Sequence, residues 1–235
     1  MKQNHSKIVL ALLVLLAITR GTLLGQGTFQ NLDFESAVIV PVTGDPFGRV
    51  QFAPAFPGWT GYVGTNQQTL ALFNNLFVGT AAIALLGPGW SGGGIIAGNY
   101  TAVLQAGSDP ADPLAPADAY ISQVGLIPAG TESIRLVSSG ERNGFAVTLN
   151  GQQINMTVLG AQNGFNLYGG DASPFAGVTS ELRITALSAP SSPANLYLDS
   201  IAFSNQSVPE PSVFGLSVLG VLLATCRCSP RPRCK

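Results

Sequence analysis

The sequence predicts an all-β protein, an antiparallel β-sandwich of the jelly-roll kind, on three observations. Glycine and proline are abundant, 28 and 16 of 235 residues, while only 10% of residues are charged. That composition favours short strands joined by turns over amphipathic helices. Apolar and polar residues alternate with a period of two in segment after segment, the signature of half-buried strands. No window carries a convincing helical period. The sandwich is expected over residues 28–207, and the two flanks have a different character.

The first flank, residues 1–27, reads as a signal peptide. Lys2 and Lys7 precede an apolar run over residues 8–18, shorter than the roughly 20 residues of a spanning helix. Gly25 and Gly27 give a small-x-small cleavage pattern and a mature start at Thr28, and cleavage after Gly25 fits equally well. The alternative is an uncleaved membrane anchor. The sequence therefore predicts export.

Within the body the clearest segment is FAVTLNGQQINMTVLG. Phe145, Val147 and Leu149 share one face, Ile154, Met156 and Val158 share another, and Asn150-Gly151 supplies a two-residue hairpin turn. Leu182 and Ile184 alternate with Glu181, Arg183 and Thr185, and Ile134 and Leu136 flank Arg135. Apolar runs at 69–73, 80–86 and 119–127 are bounded by Gly, Pro or Asn. GSDPADPLAPAD and GPGWSGGG read as loops.

The second flank, residues 208–235, holds Pro209, Glu210 and Pro211, an apolar stretch at 213–224, and the basic residues Arg227, Arg231, Arg233 and Lys235. Proline restricts its own φ and that of its predecessor, so the pair separates domain from helix. The apolar stretch is marginally long enough to span, and the basic stub would stay on the cytoplasmic side. This pattern resembles the PEP-CTERM sorting signal of Gram-negative bacteria. The resemblance implies recognition of Pro209, Glu210 and Pro211 by an exosortase, an integral membrane cysteine transpeptidase. It also implies association with extracellular polysaccharide and biofilm matrix, at the cell surface or beyond. The stub departs from the usual run of arginines in its cysteines and prolines. A plain C-terminal membrane anchor is the alternative.

Further local motifs resemble exported PEP-CTERM proteins of the Verrucomicrobia and Planctomycetes type: FQNLDFES, FPGWTGY, ISQVGLIPAGTESIRL, LNGQQI, YGGDASPFAGVTSELRI and NLYLDSIAFS. The opening N-x-x-F-E and closing L-D-x-I also resemble jelly-roll carbohydrate-binding modules and galactose-binding-like domains. That second resemblance implies adjacent first and last strands and a structural calcium ion, with Glu35 and Asp199 as its ligands; the alternative is that both acids serve as strand-end hydrogen-bond acceptors.

The charge pattern and the missing residue types exclude much other chemistry. Between residues 28 and 208 there are four arginines, no lysine and eleven acids, which leaves no electrostatic footprint for nucleic acid. The single histidine, His5, lies in the signal peptide, and Cys226, Cys228 and Cys234 all lie in the terminal stub. The body thus lacks the residues of His- or Cys-dependent triads, of zinc sites with nitrogen and sulfur ligands, and of Schiff-base chemistry. GPGWSGGG lacks the Lys-Ser/Thr ending and following helix of a phosphate-binding loop. A pair of carboxylates could hydrolyse a glycoside, but among eleven acids some pair is inevitable. Asp109, Asp112 and Asp118 share one loop without the spacing of an EF-hand. Trp59, Tyr62 and Trp90 lie in glycine-rich surroundings where exposed rings could stack on a sugar; the alternative is a core role, favoured for Trp59, and Trp90 is the better binding candidate. The reading is a non-catalytic surface or matrix protein, with a carbohydrate-binding module second and a glycan hydrolase third.

Overall fold

The computed structural model describes residues 27–139, 144–188 and 194–209. Its chain is nearly all strand, arranged as two facing sheets. The larger runs, in spatial order, β1 (Arg49–Gln51), β4 (Leu70–Phe73), β5 (Ala82–Leu86), β6 (Thr101–Ser108), β15 (Ala194–Ser204), β9 (Ser133–Ser139), β13 (Phe165–Asp171) and β12 (Thr157–Gln162). The short β7 (Pro116–Ala117) pairs with β6 off this path. The smaller sheet runs β11 (Gln152–Ile154), β10 (Phe145–Leu149), β14 (Thr179–Ala186), β8 (Ala119–Leu126), β2 (Thr60–Val63) and β3 (Asn66–Gln68). Neighbours are antiparallel except β4 and β5. The all-β antiparallel sandwich expected from the sequence is the fold.

Alternation explains the layers. In β14 every second residue, including Leu182 and Ile184, is buried, and Val147, Leu149 and Ile121 from β10 and β8 join them. Ile134, Leu136, Leu104, Leu196 and Leu198 meet them from the larger sheet. β5 reads AIALL and is buried throughout, because both of its faces are covered, as continuous apolar strands require. Its outer face forms a second small core with Leu72 and Val103, roofed by Leu76, Phe77, Trp90, Ile95 and Tyr197.

The Asn150-Gly151 turn is as expected. Leu149 pairs with Gln152, and the turn residues have φ of 48° and 76°, the double left-handed geometry that Asn-Gly tolerates. The strand after it is shorter than the alternation suggested. β11 ends at Ile154, and Thr157 starts β12 on the other sheet. Ile154 and Val158 therefore lie on different sheets, Ile154 buried and Val158 exposed. One helical turn, α1 (Phe52–Ala55), went unpredicted.

The signal peptide and the C-terminal helix expected from the sequence lie outside the described residues, as do Glu210, Pro211, Arg227, Arg231, Arg233 and Lys235. No helix among the described residues is long and apolar enough to cross a membrane.

Candidate functional site

The motif NLDFES forms no strand. Asn31 and Phe34 adopt left-handed φ of 51° and 61°, and the chain runs as tight turns, with Leu32 and Phe34 fully buried beneath it. Its carbonyl at Leu32 accepts from the Ile201 amide at 3.0 Å. The opening loop of the domain thus lies against its closing strand, but the first strand, β1, pairs with β4 and not with β15, so the adjacent first and last strands that the resemblance implied are not formed. At the same place β15 bulges: its register on β9 shifts between Asp199 and Ala202, and Ser200 takes a φ of 52°. A bulge of this kind re-aims a side chain.

Glu35 and Asp199 both turn toward the loop that leads into β6. Glu35 Oε1 accepts from the amides of Asn99 (2.8 Å) and Tyr100 (2.9 Å), and Oε2 accepts from Asn99 Nδ2 at 3.0 Å. Asp199 Oδ2 accepts from Thr101 Oγ1 (2.9 Å) and the Ala97 amide (3.2 Å), while Oδ1 accepts from the Ser200 amide at 2.6 Å. Thr101 Oγ1 in turn accepts from the Ile96 amide. Two carboxylates from opposite ends of the domain therefore clasp residues 96–101. Gly98, at φ +57°, lies so close to Glu35 that any added Cβ would sit 2.4 Å from Oε1.

Among the described residues no cation pairs with the clasp. Asp199 is 1% exposed. Burial pushes its carboxyl up to about 6, with the Glu35 charge adding, against the opposing hydrogen bonds from Thr101, Ser200 and Ala97. The described ion pairs are Arg49–Asp45 and Arg183–Glu181, and neither reaches the clasp. Carboxylate oxygens are donors of the kind calcium takes, and here all four already accept hydrogen bonds from the chain. Among the described residues no third acid, histidine or cysteine joins the pair, so further ligands would be backbone carbonyls or water. Asp109 and Asp112 each close a local turn, accepting from Ala111 and Leu114, while Asp118 accepts from Ser188.

The three aromatic residues picked from the sequence separate. Trp59 is buried at 5% exposure, stacked near Phe34 at 6.0 Å, with its Nε1 donating to the Asn31 carbonyl at 3.0 Å. Its ring belongs to the core, the role the sequence favoured for it over sugar binding, and it cannot reach a sugar. Trp90 is half-buried in the roof over β5, wrapped by its own glycine-rich loop, and its Nε1 donates to the Gly93 carbonyl. Tyr62 stands on the outer face of the smaller sheet, on the side opposite Gly61 and Val63, which are buried. There it stacks on Tyr120 with centroids 4.8 Å apart and planes 13° from parallel. The Arg183 guanidinium lies 4.6 Å over Tyr120. Sequence reading missed Tyr120 and Arg183. The only available signal was that both occupy the polar phase of an alternating strand.

No family model matches the chain, and no curated protein matches it. Among solved structures, the chain is similar to the crystal structure of an apo form cyclase from Fischerella sp., at 13% identity and a TM-score of 0.42. That match covers 76% of this chain and 94% of the other.

Proposed function

We propose that this is an exported, non-catalytic cell-surface or extracellular-matrix protein, sorted through its C-terminal signal and processed by an exosortase. In this reading residues 1–27 direct export across the inner membrane, the helix at 213–224 holds the chain there briefly, and the enzyme acts near Pro209, Glu210 and Pro211. The observation that carries it is the order of the tail: a Pro-Glu-Pro turn, an apolar stretch and then Arg227, Arg231, Arg233 and Lys235. The end of the body supports it. The Gln206 carbonyl accepts from Ser133 Oγ at 2.6 Å and Arg135 Nη2 at 3.3 Å, and Pro209 is already exposed. The motif thus begins at an exposed residue of the body.

The deciding experiment is intact mass of the protein recovered from its native cells, fraction by fraction. A body running from about Thr28 to about Pro209, found outside the inner membrane, supports exosortase sorting. Extra mass on the new C-terminus indicates covalent attachment. A chain that keeps Cys226 to Lys235 and stays in membranes would show a plain anchor and overturn the reading. Release of reducing sugar from a polysaccharide panel would overturn its non-catalytic part.

A second reading, a carbohydrate-binding module for exopolysaccharide, is favoured by one observation: the Tyr62–Tyr120 stack stands on an outward sheet face. Calcium belongs to this reading as a structural cofactor, held by Glu35 and Asp199 to tie the 96–101 loop to both ends of the domain. Binding only the folded state, it raises stability by mass action. Thermal unfolding should shift upward by several degrees on replacing a chelator with millimolar Ca²⁺, and Mg²⁺ should do less. An unchanged Tm would mean that the clasp works by hydrogen bonds alone.

A further inference from the structure

The outer face of the smaller sheet holds more than the Tyr62–Tyr120 pair. Register places Tyr62 opposite Tyr120, Thr185 opposite Tyr120, and Thr148 opposite Arg183. These residues alternate with buried Ile121, Ile184 and Val147, so all point outward. Since β8 lies between β2 and β14, Tyr120 has Tyr62 on one side and the Arg183 guanidinium on the other. Beside this row opens a cavity of about 540 Å³, lined by Asp118, Tyr120, Thr148, Arg183, Thr185 and Ser188 among others. The volume falls within the range of small-ligand sites.

The polar part of the lining is a set of hydroxyls, one carboxylate and one guanidinium, set among Gly, Ala, Pro and Leu. Arg183 Nη2 meets both Glu181 oxygens, at 3.1 and 3.3 Å. Asp118 Oδ1 accepts from both the amide and hydroxyl of Ser188 at 2.7 Å. We propose that this face binds a neutral polysaccharide, with one sugar in the cavity against Tyr120, Arg183, Thr148 and Thr185 and a neighbouring sugar over Tyr62. Resting on the carbohydrate reading, it names the ligand class and the residues.

Hydroxyl groups both donate and accept, so they match a lining that offers a guanidinium, a carboxylate and hydroxyls together. Burial raises the Tyr120 pKa above its ordinary value, opposed by Arg183, so its hydroxyl keeps its proton. Acidic polysaccharides fit poorly. Arg183 is already paired, Asp118 flanks the cavity, and the body carries four arginines against eleven acids. Coulomb repulsion would act against a polyuronate, most strongly at low salt.

The test is binding of the native protein to a panel of soluble neutral glycans (laminarin, galactan, mannan, xylan) beside alginate and polygalacturonate. Affinity electrophoresis or calorimetry would read it, at low and moderate salt. The expected result is binding to at least one neutral glycan, weakened about tenfold or more by Arg183→Gln, which strips donors from the cavity. Thr148→Val, nearly isosteric and leaving the fold intact, should weaken binding severalfold with Tm unchanged. Preference for the polyuronates overturns the inference while sparing the carbohydrate reading. Neutral-glycan binding that neither variant alters moves the site elsewhere and also overturns it. No binding to any glycan overturns the inference and the carbohydrate reading together, leaving the sorting reading to be decided by intact mass.

Discussion

Gly98 shows how one residue can decide a site. Its φ of +57° favours glycine, and an added Cβ would strike the Glu35 carboxylate. Gly98→Ala should therefore break the clasp from the Glu35 side, at a cost of about 1–3 kcal/mol in denaturant unfolding. The Asp199 side is open to test by pH. Its folded carboxyl is raised to about 6 from 3.8, so between those values the folded chain holds a proton that the unfolded chain releases. Stability from this group is full below the unfolded pKa and is lost as pH rises through about 6. With chelator present, wild type should gain on Asp199→Asn by about 2 kcal/mol between pH 7 and pH 4, read as the difference between two denaturant series. A flat difference would mean that Asp199 titrates normally.

Among the elements, β15 bears the most. It is the longest strand, lies between β6 and β9, and passes from one partner to the other around the Asp199 bulge. Leu198, fully buried just before the bulge, anchors both pairings. Leu198→Ala should cost about 2–5 kcal/mol, the range for truncating a fully buried leucine, checked by chemical denaturation. Strands such as β14 and the β10–β11 hairpin were legible in the sequence, because alternation and an Asn-Gly turn are local. The break after Ile154 was not. Alternation continues through Met156 to Val158, and only the competition between two sheets for partners makes the chain cross there. The opening motif was half legible: Glu35 and Asp199 do meet on one loop, but turns, not a first strand beside the last, bring Glu35 there.

At the scale of the whole molecule, the two sheets enclose one continuous core from Phe29 to Phe203 without a cysteine between residues 28 and 207. Burial of apolar area on this scale is the main favourable term of folding. A reductant should therefore leave Tm unchanged; a fall of several degrees would point to a disulfide through Cys226, Cys228 or Cys234. The two outer faces differ. The larger sheet is roofed at β5 by Trp90 and its neighbours, whereas the smaller leaves the Tyr62–Tyr120–Arg183 row outward. The sheet roofed by its own loop has less surface left for a ligand, and the open one carries the proposed site.

The sequence by itself determined the all-β class, the polarity of the faces of strands such as β14 and β10, and the absence of cysteine and histidine from residues 28–207. These depend on composition and on periods of two, which a chain carries regardless of its partners. The tertiary structure decided the rest. It drew Trp59 inward because the left-handed turns at Asn31 and Phe34 bring a ring and a carbonyl to meet it. It made Tyr120 and Arg183 neighbours of Tyr62 because β8 pairs with both β2 and β14. Contacts between residues far apart in the chain depend on which strands win which partners, and free energy summed over a whole sheet settles that choice.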